Sequence, residues 1–202
     1  MNKQIRNSGI GILIAGTALG GVLFALRPAH AQLMQFGSKV YHANLTQLNN
    51  SHASGSADLI LSGDQRTLLV HIVARGLERG GPHLSHIHGL SSNGRPVNST
   101  CPTTAQDTDH DGFVELAEGQ ATYGPILVDF MNVDPNEDGV VDFRTVVRNP
   151  GGTGALPLDD RHIVIHGMTV GAVGAGTPGE VNGTAGYKTV LPVLCGELQR
   201  TR

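Results

Sequence analysis

This chain has few basic residues, no tryptophan and no helical periodicity. Each of these shortages excludes some folds or functions. Lys and Arg number 14 against 17 Asp and Glu, and three of the basic residues but no acidic ones lie in the first 31 positions. The remainder has no basic excess with which to bind nucleic acid or an anionic membrane. No window shows a helical stripe, and 28 glycines with no tryptophan favour tight turns over a helical core.

The first 31 residues have the pattern of an export signal. Lys3 and Arg6 charge its start, and an apolar run follows from Ile10 to Leu26. Residues 29–31, Ala-His-Ala, form a small-x-small cleavage motif. A membrane anchor is the alternative, but a run of about 17 residues is at the short edge for spanning a bilayer. We therefore predict a cleaved signal at 1–31 and an exported domain at 32–202, periplasmic or extracellular and free of the membrane.

Short apolar or alternating runs bounded by Gly, Asn, Asp and Pro recur through the rest of the chain. Such runs are typical of an antiparallel β-sandwich or barrel. No internal repeat or linker divides them, so one domain is predicted. The seven predicted strands are 39–45, 57–61, 67–74, 83–88, 125–130, 162–166 and 189–194.

His86 and His88 stand two residues apart in one of these predicted strands. Side chains two apart in a strand project from the same face at a spacing of about 6.8 Å, so both imidazoles can bind one metal ion. Paired strand histidines are also common as polar surface. The pair by itself leaves both interpretations open.

The surroundings of this pair resemble a known family. Gly76-Leu77 with residues 83–88, His-Leu-Ser-His-Ile-His, is similar to the Gly-Leu…His-x-x-His-x-His segment of the Cu,Zn superoxide dismutases. Residues 160–166, Asp-Arg-His-Ile-Val-Ile-His, resemble the strand of that family that ends in a copper ligand, and residues 183–188 resemble its Gly-Asn-Ala-Gly-x-Arg turn.

The resemblance implies a fold, a metal and a set of ligands. The fold would be an all-β Greek-key sandwich or barrel with long loops. Copper would be bound by His86, His88 and His166, with His83 as a structural histidine behind them. Cys101 and Cys195 stand where the family keeps its disulfide. Two cysteines in an exported chain favour the same pairing in an oxidising compartment, two free thiols being the alternative.

Residues 107–118 match the twelve-residue calcium loop of EF-hands at every key position. Oxygen ligands fall at positions 1, 3, 5, 7, 9 and 12, with glycine at position 6. Because no amphipathic helices flank the loop, a structural clamp is expected rather than a sensor, and a solvated acidic turn is the alternative. The predicted calcium ligands are Asp107, Asp109, Asp111, Phe113 through its carbonyl, Glu115 and Glu118.

Residues 134–145 repeat the start of this pattern, with Thr145 in place of the final glutamate. Without a bidentate carboxylate, this second loop should bind calcium more weakly or take its last ligand from elsewhere. Its predicted ligands are Asp134, Asn136, Asp138, Val140 and Asp142.

No zinc is expected beside the copper. The stretch from 89 to 120, in which the resembled family places its zinc ligands, contains one histidine, His110. A zinc site needs about four nitrogen, sulfur or oxygen ligands of the right kind, and the histidines for it are missing. His110 is either a fourth copper ligand or a surface histidine.

Three functions remain open. A copper-only dismutase-like enzyme would act on superoxide, with Lys188 replacing the arginine that guides this small anion; lysine lacks the planar two-pronged donor geometry of arginine. A copper-binding or storage protein would use the same histidines without turnover. In a structural domain of the related chordin-type β-sandwich, the histidines would be merely polar.

Overall fold

The computed structural model describes residues 37–136, 138–172 and 179–201. The predicted export signal lies outside these residues. In the described part of the chain, no helix is long and apolar enough to cross a bilayer.

Eight antiparallel strands form a nearly closed barrel, which confirms the predicted all-β class. Across the barrel sheet their order is β7-β4-β9-β10-β1-β2-β3-β8; β11 pairs with β1, and β5 and β6 form a separate hairpin. The strands are β1 (Lys39–Gln47), β2 (Ser54–Leu61), β3 (Thr67–Arg75), β4 (Leu84–His88), β5 (Leu90–Ser92), β6 (Arg95–Val97), β7 (Ile126–Asn132), β8 (Val140–Arg148), β9 (His162–Val170), β10 (Gly186–Glu197) and β11 (Gln199–Arg200). One α-helix, α1, spans Leu116–Tyr123, and short 3₁₀ turns lie at Thr104–Gln106, Pro150–Thr153 and Leu158–Asp160.

All seven predicted strands are present, but the sequence pattern predicts neither β8 nor α1. β8 overlaps the second predicted calcium loop and alternates half-buried with exposed residues along most of its length, as a barrel-edge strand does. α1 is two turns long and buries only Gly119 and Tyr123. It therefore has no apolar stripe for a periodicity argument to detect.

The two central strands that carry the histidines are buried on both faces. In β4 and β9, Ile87, Ile163 and Ile165 point into the main hydrophobic core of the barrel. The alternate residues of both strands face outward but are still buried; α1 and the loop before it contribute to this cover, with Tyr123 clustered with Val164 and Ser99 hydrogen-bonded to His162. The histidines therefore lie in a second, smaller interior between the barrel wall and this cover.

The cover is fixed to the barrel by the disulfide between Cys101 and Cys195, whose Cα atoms are 5.8 Å apart. This bond confirms the pairing predicted from the sequence. It joins the loop that precedes residues 107–118 to β10, a strand beside β9.

Candidate metal centre

His86, His88 and His166 come together beneath this cover. His86 and His88 project from one face of β4, and His166 lies near the middle of the neighbouring β9. The three side chains are almost fully buried, with relative exposures of 5%, 1% and 1%. One potential ligand atom from each lies within 4.8 Å of the other two. This is the spacing at which three imidazoles can share one metal ion.

Backbone carbonyls fix the orientation of two of these rings. His88 Nδ1 donates to the carbonyl oxygen of Gly124 at 2.9 Å, and His166 Nδ1 donates to that of Val190 at 2.8 Å. Since a neutral imidazole carries one proton, each remaining Nε2 keeps a lone pair. Both Nε2 atoms are buried and have no hydrogen-bond partner. The same is true of Nδ1 of His86. Buried polar atoms without partners are rare, so three that converge mark a candidate metal site.

An irregularity in β10 lies beside the carbonyl that holds His166. Pro192 is paired opposite His166, and the register shifts on both sides of it. Proline has no N–H for the ladder, so a central strand that contains one must bulge. Val190, two residues earlier, directs its oxygen to the His166 ring.

Burial keeps the three histidines neutral. It lowers the pKa of His88 to about 4 and that of His166 to about 3. Burial also lowers the pKa of His86, although the charge of the nearby Asp129 carboxylate acts in the opposite direction and raises it. Neutral imidazole is the form that binds a metal, so at neutral pH the ligands need not lose protons before binding.

His83 lies directly behind this cluster and is fully buried. Its Nδ1 contacts the carbonyl oxygen of His166 at 3.0 Å, and its Nε2 contacts that of Glu78 at 2.6 Å. The ring therefore links the loop after β3 to the strand that carries His166, a supporting position like the one expected from the sequence.

Tyr123 and Gly124, which the sequence analysis did not single out, complete the surroundings of His88. The Tyr123 ring meets the His88 ring edge to face with centroids 4.7 Å apart, and Gly124 supplies the carbonyl. One sequence signal points to this helix. Glu115 and Glu118 form a reciprocal capping arrangement at its start, the spacing expected of a capping box.

The first calcium-type loop has the hydrogen bonds of a wrapped turn. Asp107 Oδ2 accepts from the N–H of Gly112 at 3.0 Å, and Asp111 Oδ1 accepts from the N–H of Phe113 at 2.9 Å. The other oxygens of these two carboxylates, Asp107 Oδ1 and Asp111 Oδ2, are buried without partners. Carboxylates converge within 4.8 Å in two overlapping groups: Asp107, Asp109 and Glu118; and Asp109, Asp111 and Glu115.

Glu115 and Glu118 tie this loop to the rest of the fold. Glu118 accepts hydrogen bonds from the N–H groups of Thr108 and Glu115, and Glu115 accepts one from the N–H of Val181. Burial raises the pKa of Asp111, and the charges of the neighbouring carboxylates raise it further. Such mutual repulsion is what a bound cation relieves.

The structure does not assemble the second predicted loop in this way. Asn136 Oδ1 accepts from the N–H groups of Asp138 and Val140, which makes a tight turn before β8. Asp142 lies in β8 and contacts His71 at 2.9 Å and Arg144 at 3.2 Å. In the described part of 134–145, which omits residue 137, the acidic side chains form no group of three.

In the part of the chain that the structure describes, two further candidate residues make no hydrogen bond with the three clustered histidines. His110 is exposed at the fourth position of the first loop, where its φ is +63°, and it is not among the three grouped histidines. The Lys188 ammonium contacts Asn182 Oδ1 at 3.4 Å and Thr184 Oγ1 at 3.3 Å. Lys188 thus hydrogen-bonds within the turn that precedes β10.

The solved structures that are similar to this chain include two SOD-like proteins of low sequence identity. One is a SOD-like protein from Bacillus subtilis, 21% identical, with a TM-score of 0.40 over 78% of this chain and 97% of that one. The other is a double mutant of a SOD-like protein from Bacillus subtilis, 18% identical, with a TM-score of 0.41 over 77% of this chain and 94% of that one. Comparison with curated protein sequences gives no match.

The family model of the CHRD domain matches residues 36–151. The matched range includes His86, His88 and the first calcium-type loop, whereas His166 and Cys195 lie beyond it. The family shown is thus the CHRD domain, the chordin-type family that the sequence analysis named, and the likeness to the Cu,Zn superoxide dismutases remains a resemblance of motifs. The match covers more than half of this chain, which therefore belongs to the CHRD-domain family.

Proposed function

We propose that this CHRD-domain protein is exported and binds copper through His86, His88 and His166. The observation that carries the proposal is the set of three buried, partnerless ring nitrogens, one from each histidine. A polar surface role does not explain them, because the side chains are not at the surface. Burial of unpaired polar atoms is costly unless a ligand satisfies them.

The donor set favours copper over zinc. Imidazole suits both metals, but for the same nitrogen ligands the affinity of divalent copper exceeds that of zinc. In the described residues three histidines converge, which excludes the closed four-ligand site of structural zinc but matches the three-histidine set of catalytic zinc, so the preference for copper rests on affinity. Three protein ligands also leave coordination positions open to a small molecule.

Calcium at residues 107–118 has a supporting role in this proposal. The loop matches the calcium pattern in sequence, and two of its carboxylate oxygens are buried without partners. A cation there would fix the loop that begins α1 and covers the histidines. Export is supported by the signal pattern at 1–31 and by the disulfide, which persists in oxidising compartments.

Copper titration of residues 32–202 tests the proposal. The metal-free protein should bind one copper, and electron paramagnetic resonance should show coupling to nitrogen ligands. His88→Ala should lose this binding, while His71→Ala, which removes a histidine from the outer face of β3, should retain it. Equal copper content in wild type and His88→Ala would overturn the assignment, and His110→Ala asks separately whether that histidine is a fourth ligand.

Superoxide dismutation is the second candidate function, favoured by the three-ligand set. Copper would supply the redox chemistry, alternating between two oxidation states while two superoxide anions and two protons become dioxygen and hydrogen peroxide. The chain's own contribution would be to hold the ligands and admit a small anion, with Lys188 as the cation that attracts it. Copper-loaded wild type should then consume superoxide faster than His88→Ala, and Lys188→Gln should be slower and less sensitive to salt. A loaded protein no faster than His88→Ala would leave copper binding alone as the function.

A further inference from the structure

We infer that helix α1 couples the two sites, so that calcium at residues 107–118 positions His88 and raises the affinity of the histidine site for copper. The inference rests on the proposed function. It makes Tyr123 and Gly124 positioning residues for a copper ligand and gives the loop a regulatory effect in addition to its clamping role.

The first half of the path runs from the loop into the helix. Glu118, the twelfth residue of the calcium pattern, is the third residue of α1, and Glu115, the ninth, is its N-cap. Glu118 also accepts the N–H of Glu115, so the two carboxylates and the first turn form one unit. A cation bound by these carboxylates would fix where α1 begins.

The second half runs from the helix to the metal ligand. α1 ends at Tyr123, whose buried ring packs on His88, and Gly124 then accepts the Nδ1 proton of His88. This hydrogen bond selects the tautomer with a lone pair on Nε2 and sets the plane of the ring. Such partners of metal-bound histidines typically change metal affinity 10- to 100-fold when they are removed.

The helix is too short and too closely packed to absorb a displacement. Eight residues extend about 12 Å, and the Tyr123 hydroxyl reaches back to the carbonyl of Leu116, the first helical residue, at 3.3 Å. At the far end, a Cβ on Gly124 would lie 2.3 Å from the carbonyl oxygen of Gly89, so the backbones touch beside His88. A shift at Glu118 is therefore transmitted to Gly124.

Charge provides the free energy for the coupling. Without a cation, the carboxylates of Asp107, Asp109, Asp111 and Glu118 repel one another at close range. Opening of the loop would relieve this repulsion and release the start of α1. Because coupling is reciprocal, copper must raise calcium affinity by the same factor by which calcium raises copper affinity.

The test measures copper dissociation constants for residues 32–202, with glycine as the competing ligand, in saturating calcium or in the same concentration of magnesium. Calcium should tighten copper binding about tenfold, within the usual range for coupled sites. In both buffers, Glu118→Gln should bind copper with the dissociation constant that wild type has in magnesium. Calcium binding to copper-loaded and metal-free wild type gives the reciprocal factor without any substitution.

Two variants of the helix separate positioning from general stabilisation. Tyr123→Leu should keep the rise in melting temperature caused by calcium but lose most of its effect on copper affinity, and Tyr123→Phe, which keeps the ring, should retain that effect. If wild type binds both metals and neither changes the affinity of the other, or if calcium does not bind, the coupling is refuted while copper binding stands. Full calcium dependence in Tyr123→Leu would refute the path through α1. If copper does not bind at all, the proposed function fails as well.

Discussion

The carboxylate of Asp129 lies 3.5 Å from Nε2 of His86, on the opposite side of that ring from its partnerless Nδ1. The two residues are direct cross-strand partners in β4 and β7. With the carbonyls behind His88 and His166, this contact gives each of the three histidines an oxygen on the side of its ring away from the unpartnered nitrogen. Such oxygens orient the ring and make it a better donor.

Asp129→Asn should therefore weaken copper binding by about tenfold, the lower end of the usual effect, because the carboxylate is largely exposed and the contact is long. Competition titration measures the loss. Asp58→Asn is the matched control, since Asp58 contacts His42 at 2.7 Å on the outer face of the sheet. Unchanged affinity in Asp129→Asn would show that this carboxylate does not support His86.

The metal-free protein should lose stability as the pH falls below about 6.5. In the folded state the pKa of His88 is about 4 and that of His166 about 3, whereas in the unfolded chain both return towards 6.5. Between these values the unfolded chain binds more protons, so acid favours unfolding. The slope is up to about 1.4 kcal/mol per pH unit for each histidine.

Urea unfolding with a copper chelator, at pH 7.5 and pH 5, measures this loss. His88→Leu should show a smaller difference between the two pH values, because one of the two groups is gone. A free energy of unfolding that is the same at both pH values in wild type would contradict the prediction.

Calcium should raise the melting temperature of wild type and not of Glu118→Gln. A ligand at 100 times its dissociation constant stabilises the folded state by about 2.7 kcal/mol. Asp138→Asn, in the turn before β8, is the control and should respond like wild type, because the acidic side chains described there do not converge. An equal rise in Glu118→Gln would place the stabilising cation elsewhere.

Removal of the disulfide by Cys101→Ser with Cys195→Ser should cost about 4–5 kcal/mol of stability in the chain-entropy model, because the bond closes a loop 94 positions long. Chemical unfolding of the oxidised wild type and the double variant gives the difference. The double variant should also bind copper less tightly, since Cys195 packs with Tyr123 and Val164 beneath the cover. Equal unfolding midpoints would contradict the first expectation.

The sequence predicts those parts of the site that are local in the chain. The two-residue spacing of His86 and His88 follows from strand geometry alone, and the calcium pattern is contiguous from 107 to 118. The inclusion of His166 depended on resemblance, because periodicity does not reveal which strands lie side by side. The structure supplies that pairing, with β4 directly beside β9.

The parts that the sequence could not provide are contacts of backbone atoms and of a short helix. The carbonyls of Gly124 and Val190 carry no residue-type signature, and α1 is too short for a hydrophobic period. Calcium at the second loop stays a prediction, and the linear pattern there does not include the strand geometry. Asp142 fits a ligand position in the linear pattern, but strand alternation in β8 directs its carboxylate to His71 and Arg144.

The positions of His166 and Val190 also determine when during biosynthesis the site can be completed. His166 lies on β9 and Val190 on β10, and the second cysteine also lies on β10. A nascent chain that has not yet emerged beyond residue 160 presents two of the three histidines and none of the strand that orients the third. We therefore expect copper to be acquired only after β10 has been synthesised, so that a chain threaded unfolded through an export channel would cross without its metal.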